Sequence, residues 1–415
     1  MAGRSEGARP EHASPGPRFR GNVPFHHAPK GSREGASRRA RFRGNVPNRH
    51  APTGDRERAT PRTPFRGNAP GDCPAFRRLD AAVRDAPRFR GNAVTLPAFV
   101  DGDEVRRRLP MADAIDLMAD TLRAFSEGRA VQPPRSFFGT PGGEGLVGLM
   151  PAFVPDPDVV GVKVISAFHG ADPAHDGAVL LFDMAGRLIG IVDAIAITEI
   201  RTAAVSGLAT RLLAREDAGN LAILGSGVQA RAHLEAMRVV RDIRRVRVWS
   251  RRRERAESFA AWARDAHGVD VEPVDTAEQA ARGAAILCTV TSSPEPVLLG
   301  DWVSPGAHVN AVGSFAPTTR ELDTPLVARS DFYVDSRESA ELQAGDWLLA
   351  KEAAALPAEH IRAELGEVVA GAAGRSGPDE VTVFKSLGLG VEDAAAARAV
   401  VPRRTPASSV SGSTG

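Results

Sequence analysis

The stretch Leu221 to Met237, LAILGSGVQARAHLEAM, constrains what this chain can fold into more than any other. Leu221 to Leu224 is a short apolar run, the pattern of a parallel strand buried on both faces. Gly225, Ser226 and Gly227 make a tight turn, and helical spacing of apolar residues begins near Gln229. Strand, glycine turn and helix in this order bring backbone N–H groups and a helix N-terminus to face a pyrophosphate. Gly225 permits the turn, Gly227 lets the backbone approach the phosphates, and Ala230 is small enough for close helix–strand packing. A lone G-x-G-x-x-A is weak evidence, and the flanking strand and helix give it its meaning. The expectation is a dinucleotide held by Gly225, Ser226, Gly227, Val228 and Gln229.

The pattern around this stretch agrees. From Asn220 onward, strands at Leu221–Leu224, Arg245–Trp249, Ala285–Val290, His308–Val312 and Phe332–Val334 alternate with helices at Gln229–Arg238, Arg253–His267 and Thr276–Arg282. That alternation predicts a Rossmann-type α/β fold with a doubly wound parallel sheet. Thr291, Val312 and Gly313, at or just past the ends of two of these strands, are expected at the cofactor as well. Upstream, a helix over Met111–Phe125 precedes strands at Leu146–Phe153, Val159–Ala167, Ala178–Asp183 and Leu188–Asp193. Asp183 to Arg187 reads as a hairpin turn, so this sheet is expected to be mostly antiparallel. A helix of small residues follows over Thr198–Leu213, and a late strand over Val381–Phe384 leads to an Ala-rich helix.

The second Rossmann strand selects between coenzymes. An acidic residue at its tip would bond the ribose 2′-OH of NAD. Here the tip reads Ser250, Arg251, Arg252, Arg253, and guanidinium groups suit a 2′-phosphate. NADP(H) is therefore favoured over NAD(H).

Charge and composition narrow the remaining classes. The 415 residues give room for two domains. Cys73 and Cys288 are too few for a disulfide framework, and Cys288, inside an apolar run, is expected to be an inert core thiol. No His, Asp or Glu spacing indicates a metal site. There is no membrane-length apolar run and no signal-peptide pattern, so the expected localisation is cytoplasmic. Residues 1–93 carry 20 Lys+Arg against 8 Asp+Glu, whereas the remaining 322 carry 33 against 43. This basic arm repeats an Arg-Gly-Asn unit around Phe19, Phe42, Phe65 and Phe89 and is too rich in Pro, Gly and Arg to bury a core. Its composition favours a disordered extension over a nucleic-acid-binding arm; residues 403–415 read as a polar tail. Only four lysines occur, so Lys163, set between Val162 and Val164 in a strand, stands out.

Several ordered motifs together resemble the ornithine cyclodeaminase/mu-crystallin family. They are Ile200 to Thr210, Ala222 to His233, Pro134 to Ser136, Gly161 to Val164, Asn310 to Ser314 and Val383 to Leu389. The resemblance spans roughly residues 95–400 and leaves out the arm. It implies a homodimer and small amino- or imino-acid substrates. It also implies a substrate and dimerisation domain, over 94–213 with 381–402 returning to it, around an NAD(P)-binding domain over 214–380. Carried over by position, Arg135 and Arg201 would bind the substrate carboxylate, a role that suits a planar guanidinium. Lys163 would match the family's active-site lysine, near the substrate nitrogen or carboxylate, and Lys385 would be structural or near the cofactor. Where ornithine cyclodeaminases carry an acid–base aspartate, shortly after Asn-Ala-Val-Gly, this chain has Phe315. A phenyl ring exchanges no proton, so the resemblance points to the branch that reduces cyclic ketimines such as Δ1-pyrroline-2-carboxylate, with Phe315 at the substrate. Ornithine cyclodeamination, alanine dehydrogenation and a non-catalytic crystallin-like role remain the alternatives. His169 and His175, in the loop Phe168–Gly177, are read as solvated more readily than catalytic.

Overall fold

A computed structural model describes residues 96–168 and 175–402. The basic arm, Cys73, His169 and residues 403–415 lie outside the described residues.

Two sheets organise the chain. The first contains β1 (Ala98–Val100), β2 (Ser136–Gly139), β3 (Gly145–Val154), β4 (Val159–Phe168), β5 (His175–Phe182) and β6 (Leu188–Asp193), in the order β1-β6-β5-β4-β3-β2. Every neighbouring pair is antiparallel except β1 and β6, as the hairpin spacing predicts. The turn between β5 and β6 closes because the Asp183 carboxylate accepts from the backbone N–H groups of Ala185 and Arg187, each at 3.0 Å. The period of two sorts β4 into two faces. Val159, Gly161 and Lys163 face inward and are buried; Val160, Val162 and Val164 face outward and remain partly or fully exposed. Helix Gly390–Val400 packs on the inner face, and a Cβ added at Gly161 would lie 2.5 Å from Ala394 Cβ.

The second sheet contains β7 (Asn220–Leu224), β8 (Arg245–Trp249), β9 (Val271–Pro273), β10 (Ile286–Thr289), β11 (His308–Ala311), β12 (Asp331–Val334), β13 (Ile361–Glu364) and β14 (Thr382–Lys385). All are parallel, in the order β13-β12-β14-β11-β10-β7-β8-β9. The strand order reverses between β7 and β10, the switch point at which a doubly wound sheet opens a crevice. The sequence boundary at residue 381 needs correction. Thr382–Lys385 lies inside the parallel sheet between β11 and β12, paired to both, and only helix Gly390–Val400 crosses to the antiparallel sheet. The apolar run around Val383 suits a central strand buried on both faces, whereas the sequence boundary put it with the substrate and dimerisation domain.

Helix Ala194–Leu213 joins the two halves. It is apolar or small nearly all round, as a helix buried on every side requires. Asp193 caps its start by accepting from Ala196 N at 2.7 Å. It packs against helices Met111–Ser126 and Val228–Val240. The His233 ring bridges two of these helices, with Nε2 2.9 Å from Ser206 Oγ; burial holds its pKa down at about 4. No described helix is long and apolar enough to cross a membrane.

The contact at Gly161 gives a direct test of how the returning helix docks. Gly161→Val should push that helix off the sheet and cost about 1–3 kcal/mol by overpacking. Urea unfolding would measure it, and a variant as stable as the parent would show that the helix is not seated by this contact.

Candidate active site

A cleft of about 660 Å³ opens at the C-terminal ends of β7, β8, β10 and β11. One wall is backbone. Gly225 takes φ +121°, which an L side chain rarely adopts, and a Cβ there would lie 2.6 Å from Val290 O. A Cβ at Gly227, by contrast, would meet nothing within 4 Å, so the space above it is open to a ligand. Helix Val228–Val240 begins at Gly227 with no side-chain cap, leaving its first N–H groups for an anion. These two features fit a dinucleotide diphosphate. Ser226 Oγ meets Ser250 Oγ at 3.0 Å and joins the glycine turn to the tip of β8. Arg251, Arg252 and Arg255 line the rim of the cleft. Arg253 is paired with Glu257 and Asp275, whereas Arg251, Arg252 and Arg255 make no ion pair among the described residues.

Thr291, Val312 and Gly313 line the far side. Glu321 holds them. Its fully buried carboxylate accepts from Thr289 Oγ1 (2.8 Å), Thr291 N (2.7 Å), Thr291 Oγ1 (2.6 Å) and Gly313 N (2.6 Å). Asp346 in turn accepts from Glu321 N and Leu322 N and pairs with Lys385 at 2.9 Å. Lys385 donates to Ser314 O at 2.5 Å, so the structure gives it a supporting position under the cleft.

The opposite end is a buried ion cluster. Arg201, on helix Ala194–Leu213, is 5% exposed and lines the cleft. Its Nε donates to Asp393 Oδ1 at 2.8 Å and its Nη1 to Glu392 Oε2 at 3.0 Å. Lys163 Nζ lies 2.8 Å from Asp393 Oδ2 and 3.3 Å from Thr198 Oγ1. Burial pushes the Lys163 ammonium down to about 8 against the pull of Asp393. Burial would raise Asp393, but Arg201 and Lys163 outweigh it and hold that carboxyl below its ordinary range. Glu392 goes the other way: burial pushes it up to about 8 despite Arg201. Arg135 donates to Leu387 O at 3.2 Å, while Asp335 accepts from Leu387 N (2.5 Å) and Gly388 N (2.8 Å). Together they clamp the segment Ser386–Gly388 that forms part of the cleft wall.

All eleven residues expected at the cofactor line this one cleft, and Arg201 and Phe315 line it with them. Phe315 is 63% exposed at its mouth, and His175 is also on its lining. Lys163 is paired with Asp393 and donates to Thr198, which lines the cleft; Arg135 donates to Leu387 O on the cleft wall, and its Nη2 is buried with no hydrogen-bond partner. Cys288 is fully buried, with its thiol pushed up to about 12 by burial, in keeping with an inert core position. No group of metal-binding side chains forms among the described residues. Sequence reasoning missed Glu392, Asp393, Asp335, Glu321 and Arg255. Two adjacent acids inside an otherwise apolar, Ala-rich helix were the available signal for the first pair.

This fold and cleft define a protein built to hold a dinucleotide in the same cleft as a buried arginine. The chain belongs to the ornithine cyclodeaminase/mu-crystallin family, whose profile matches residues 97–406. It is 40% identical to the ketimine reductase mu-crystallin of Mus musculus over 313 residues, covering 73% of this chain and 96% of that one. Its fold is similar to that of the Thermococcus litoralis Δ1-pyrroline-2-carboxylate reductase in complex with NADH and L-proline. That match has TM-score 0.70 and 32% identity and covers 73% and 96% of the two chains. An archaeal alanine dehydrogenase dimer with bound NAD is similar at TM-score 0.69 and 30% identity, covering 74% and 95%.

The ion cluster makes a stability prediction. Removing one partner leaves buried charge uncompensated, so Asp393→Asn should cost about 3–5 kcal/mol in urea unfolding. A change below about 1 kcal/mol would mean that solvent reaches this pair.

Proposed function

We propose that this protein reduces a small cyclic ketimine carboxylate of the Δ1-pyrroline-2-carboxylate type to the cyclic amino acid, with NADPH favoured over NADH. The observation that carries the reading is Arg201, a guanidinium fixed by two carboxylates in the same cleft as the uncapped glycine turn. Its Nη2 makes no hydrogen bond to the described residues and is left for a ligand carboxylate. The reduced nicotinamide supplies the hydride. Arg201 binds and orients the acid, and Lys163 and Asp393 hold Arg201's surroundings fixed, so proximity and electrostatics are the protein's share. Phe315 at the mouth offers a flat apolar face and no proton, which suits an imine more than an ornithine amino group. The names of the relatives point the same way, since two of them are reductases of C=N bonds.

Coenzyme choice rests on Arg251, Arg252 and Arg255. Three unpaired guanidinium groups at the tip of β8, with no carboxylate among the residues lining that tip, favour a 2′-phosphate. Turnover of Δ1-pyrroline-2-carboxylate should therefore consume NADPH. In Arg251→Ala/Arg252→Ala, KM for NADPH should rise about 10–100-fold, the loss expected for hydrogen bonds between charged groups. KM for NADH should barely move. Equal effects on both coenzymes would remove the phosphate role, and no imine turnover with either would remove the reductase.

The antiparallel sheet with helix Gly390–Val400 serves in this reading as the substrate and dimerisation domain. Its outer face carries Phe138, Val160, Val162, Leu180 and Ile191, all partly or largely exposed. A relative described as a dimer supports a homodimer through this face. Light scattering should give twice the chain mass for the parent protein and one chain mass for Val162→Glu. A monomeric parent protein would refute the arrangement.

A further inference from the structure

The ion cluster behind the cleft is balanced in a way that a substrate must upset. Three cations, Arg135, Lys163 and Arg201, face three carboxylates, Asp335, Glu392 and Asp393, and all but Arg135 are almost fully buried. Two of the carboxylates sit on helix Gly390–Val400 and the third at the end of β12; the cations come from β4, from helix Ala194–Leu213 and from the segment before β2. A substrate carboxylate adds one more negative charge to this group, which borders the Lys385–Asp346 pair and Glu321 through Asp335. Leaving that charge uncompensated in a buried site would be costly.

Glu392 stands where the conflict falls. Its Oε2 occupies Arg201 Nη1, one of the two nitrogens that a bidentate grip on a ligand carboxylate would use. Its Oε1 is buried and makes no hydrogen bond, so half of this carboxylate already lacks the partner its charge requires. Asp393 differs, because it is gripped by both Arg201 and Lys163. Asp335 shares the unpartnered oxygen, at Oδ1, but it is held by two backbone N–H groups and makes no hydrogen bond to Arg201. Of the three acids, Glu392 alone both leaves one oxygen unpartnered and occupies Arg201 Nη1.

We propose that Glu392 takes up a proton when a substrate carboxylate binds Arg201, so that the site keeps its charge balance and Arg201 Nη1 is released to the ligand. The protonated carboxyl then keeps its place beside Leu389 N, from which it already accepts at 3.2 Å. On product release the proton returns to solvent. With burial raising Glu392 to about 8, the group is largely ionised in the free protein only above that pH, and proton uptake is read there. The sign follows from linkage: a ligand that prefers the protonated form binds more weakly as pH rises above that value. Lys163, lowered by burial to about 8 and also in the cluster, is the rival site for such a proton.

This inference rests on the reading of Arg201 as the carboxylate ligand, and the test separates the two. Pyrrole-2-carboxylate is a planar five-membered acid whose ring nitrogen does not titrate in the working range. Its binding to the NADP⁺-loaded protein would be measured by calorimetry at pH 9 in buffers of differing ionisation enthalpy. The parent protein should take up about one proton per site, and its Kd should weaken about tenfold per pH unit above pH 8. Glu392→Gln, which is neutral at every pH, should bind without proton uptake and with a flat pH profile. Uptake that persists in Glu392→Gln would assign the proton to Lys163 and overturn the proposal, as would binding by the parent without any uptake. Failure of Glu392→Gln to bind a ligand that the parent binds would likewise overturn it, since a neutral side chain should be accepted there. Failure of the parent to bind the acid at all would instead refute the reading of Arg201.

Discussion

The burial of Arg201 sets the terms for the rest of this molecule. A guanidinium taken out of water is costly unless carboxylates accompany it with good geometry. Here they arrive from the far end of the sequence, on helix Gly390–Val400, nearly two hundred residues away. That requirement explains the discontinuous fold. The chain completes its parallel sheet with β14, leaves it, and returns to the antiparallel sheet so that Glu392 and Asp393 reach Arg201 and Lys163. Gly161 opposite Ala394 lets the helix come close enough to do so. Arg201 is therefore held by residues from near the C-terminal end of the described chain.

The coenzyme side uses the opposite device. Its glycine turn presents backbone and open space, with an uncapped helix start and the guanidinium groups of Arg251, Arg252 and Arg255 nearby. Precision there comes from Glu321, whose four accepted hydrogen bonds tie the ends of β10 and β11 into one floor. Asp346 and Lys385 brace that floor from below. One cleft thus combines a wall shaped by what the backbone leaves unsatisfied with a wall shaped by charges satisfied in advance. Under the proposed reading, a negatively charged coenzyme and a negatively charged acid share it because each has its own source of positive potential.

Legibility in the sequence followed the range of the interactions. The strand–glycine–helix unit, the antiparallel hairpins and the residues at the tips of β7, β8, β10 and β11 are local patterns, and the structure places them as the spacing predicts. Short edge strands such as β9 and β13 carry too few residues to show a period. The position of β14 was not readable, because a strand's neighbours in a sheet are fixed by tertiary packing. The partners of Arg201 and Lys163 were hidden for the same reason, although a Glu-Asp pair amid alanines was a visible anomaly. Arg135 and Lys163 were found as residues but their partners were not, since spacing says which face a side chain takes and not what it meets there.

What remains central is that a guanidinium in this cleft recognises an acid. Titrating the NADP⁺-loaded protein with pyrrole-2-carboxylate and with its neutral carboxamide compares two ligands of nearly the same shape. If Arg201 is the anchor, the carboxylate should bind at least about tenfold more tightly, as hydrogen bonds between charged groups require. Equal affinity for the two would contradict it.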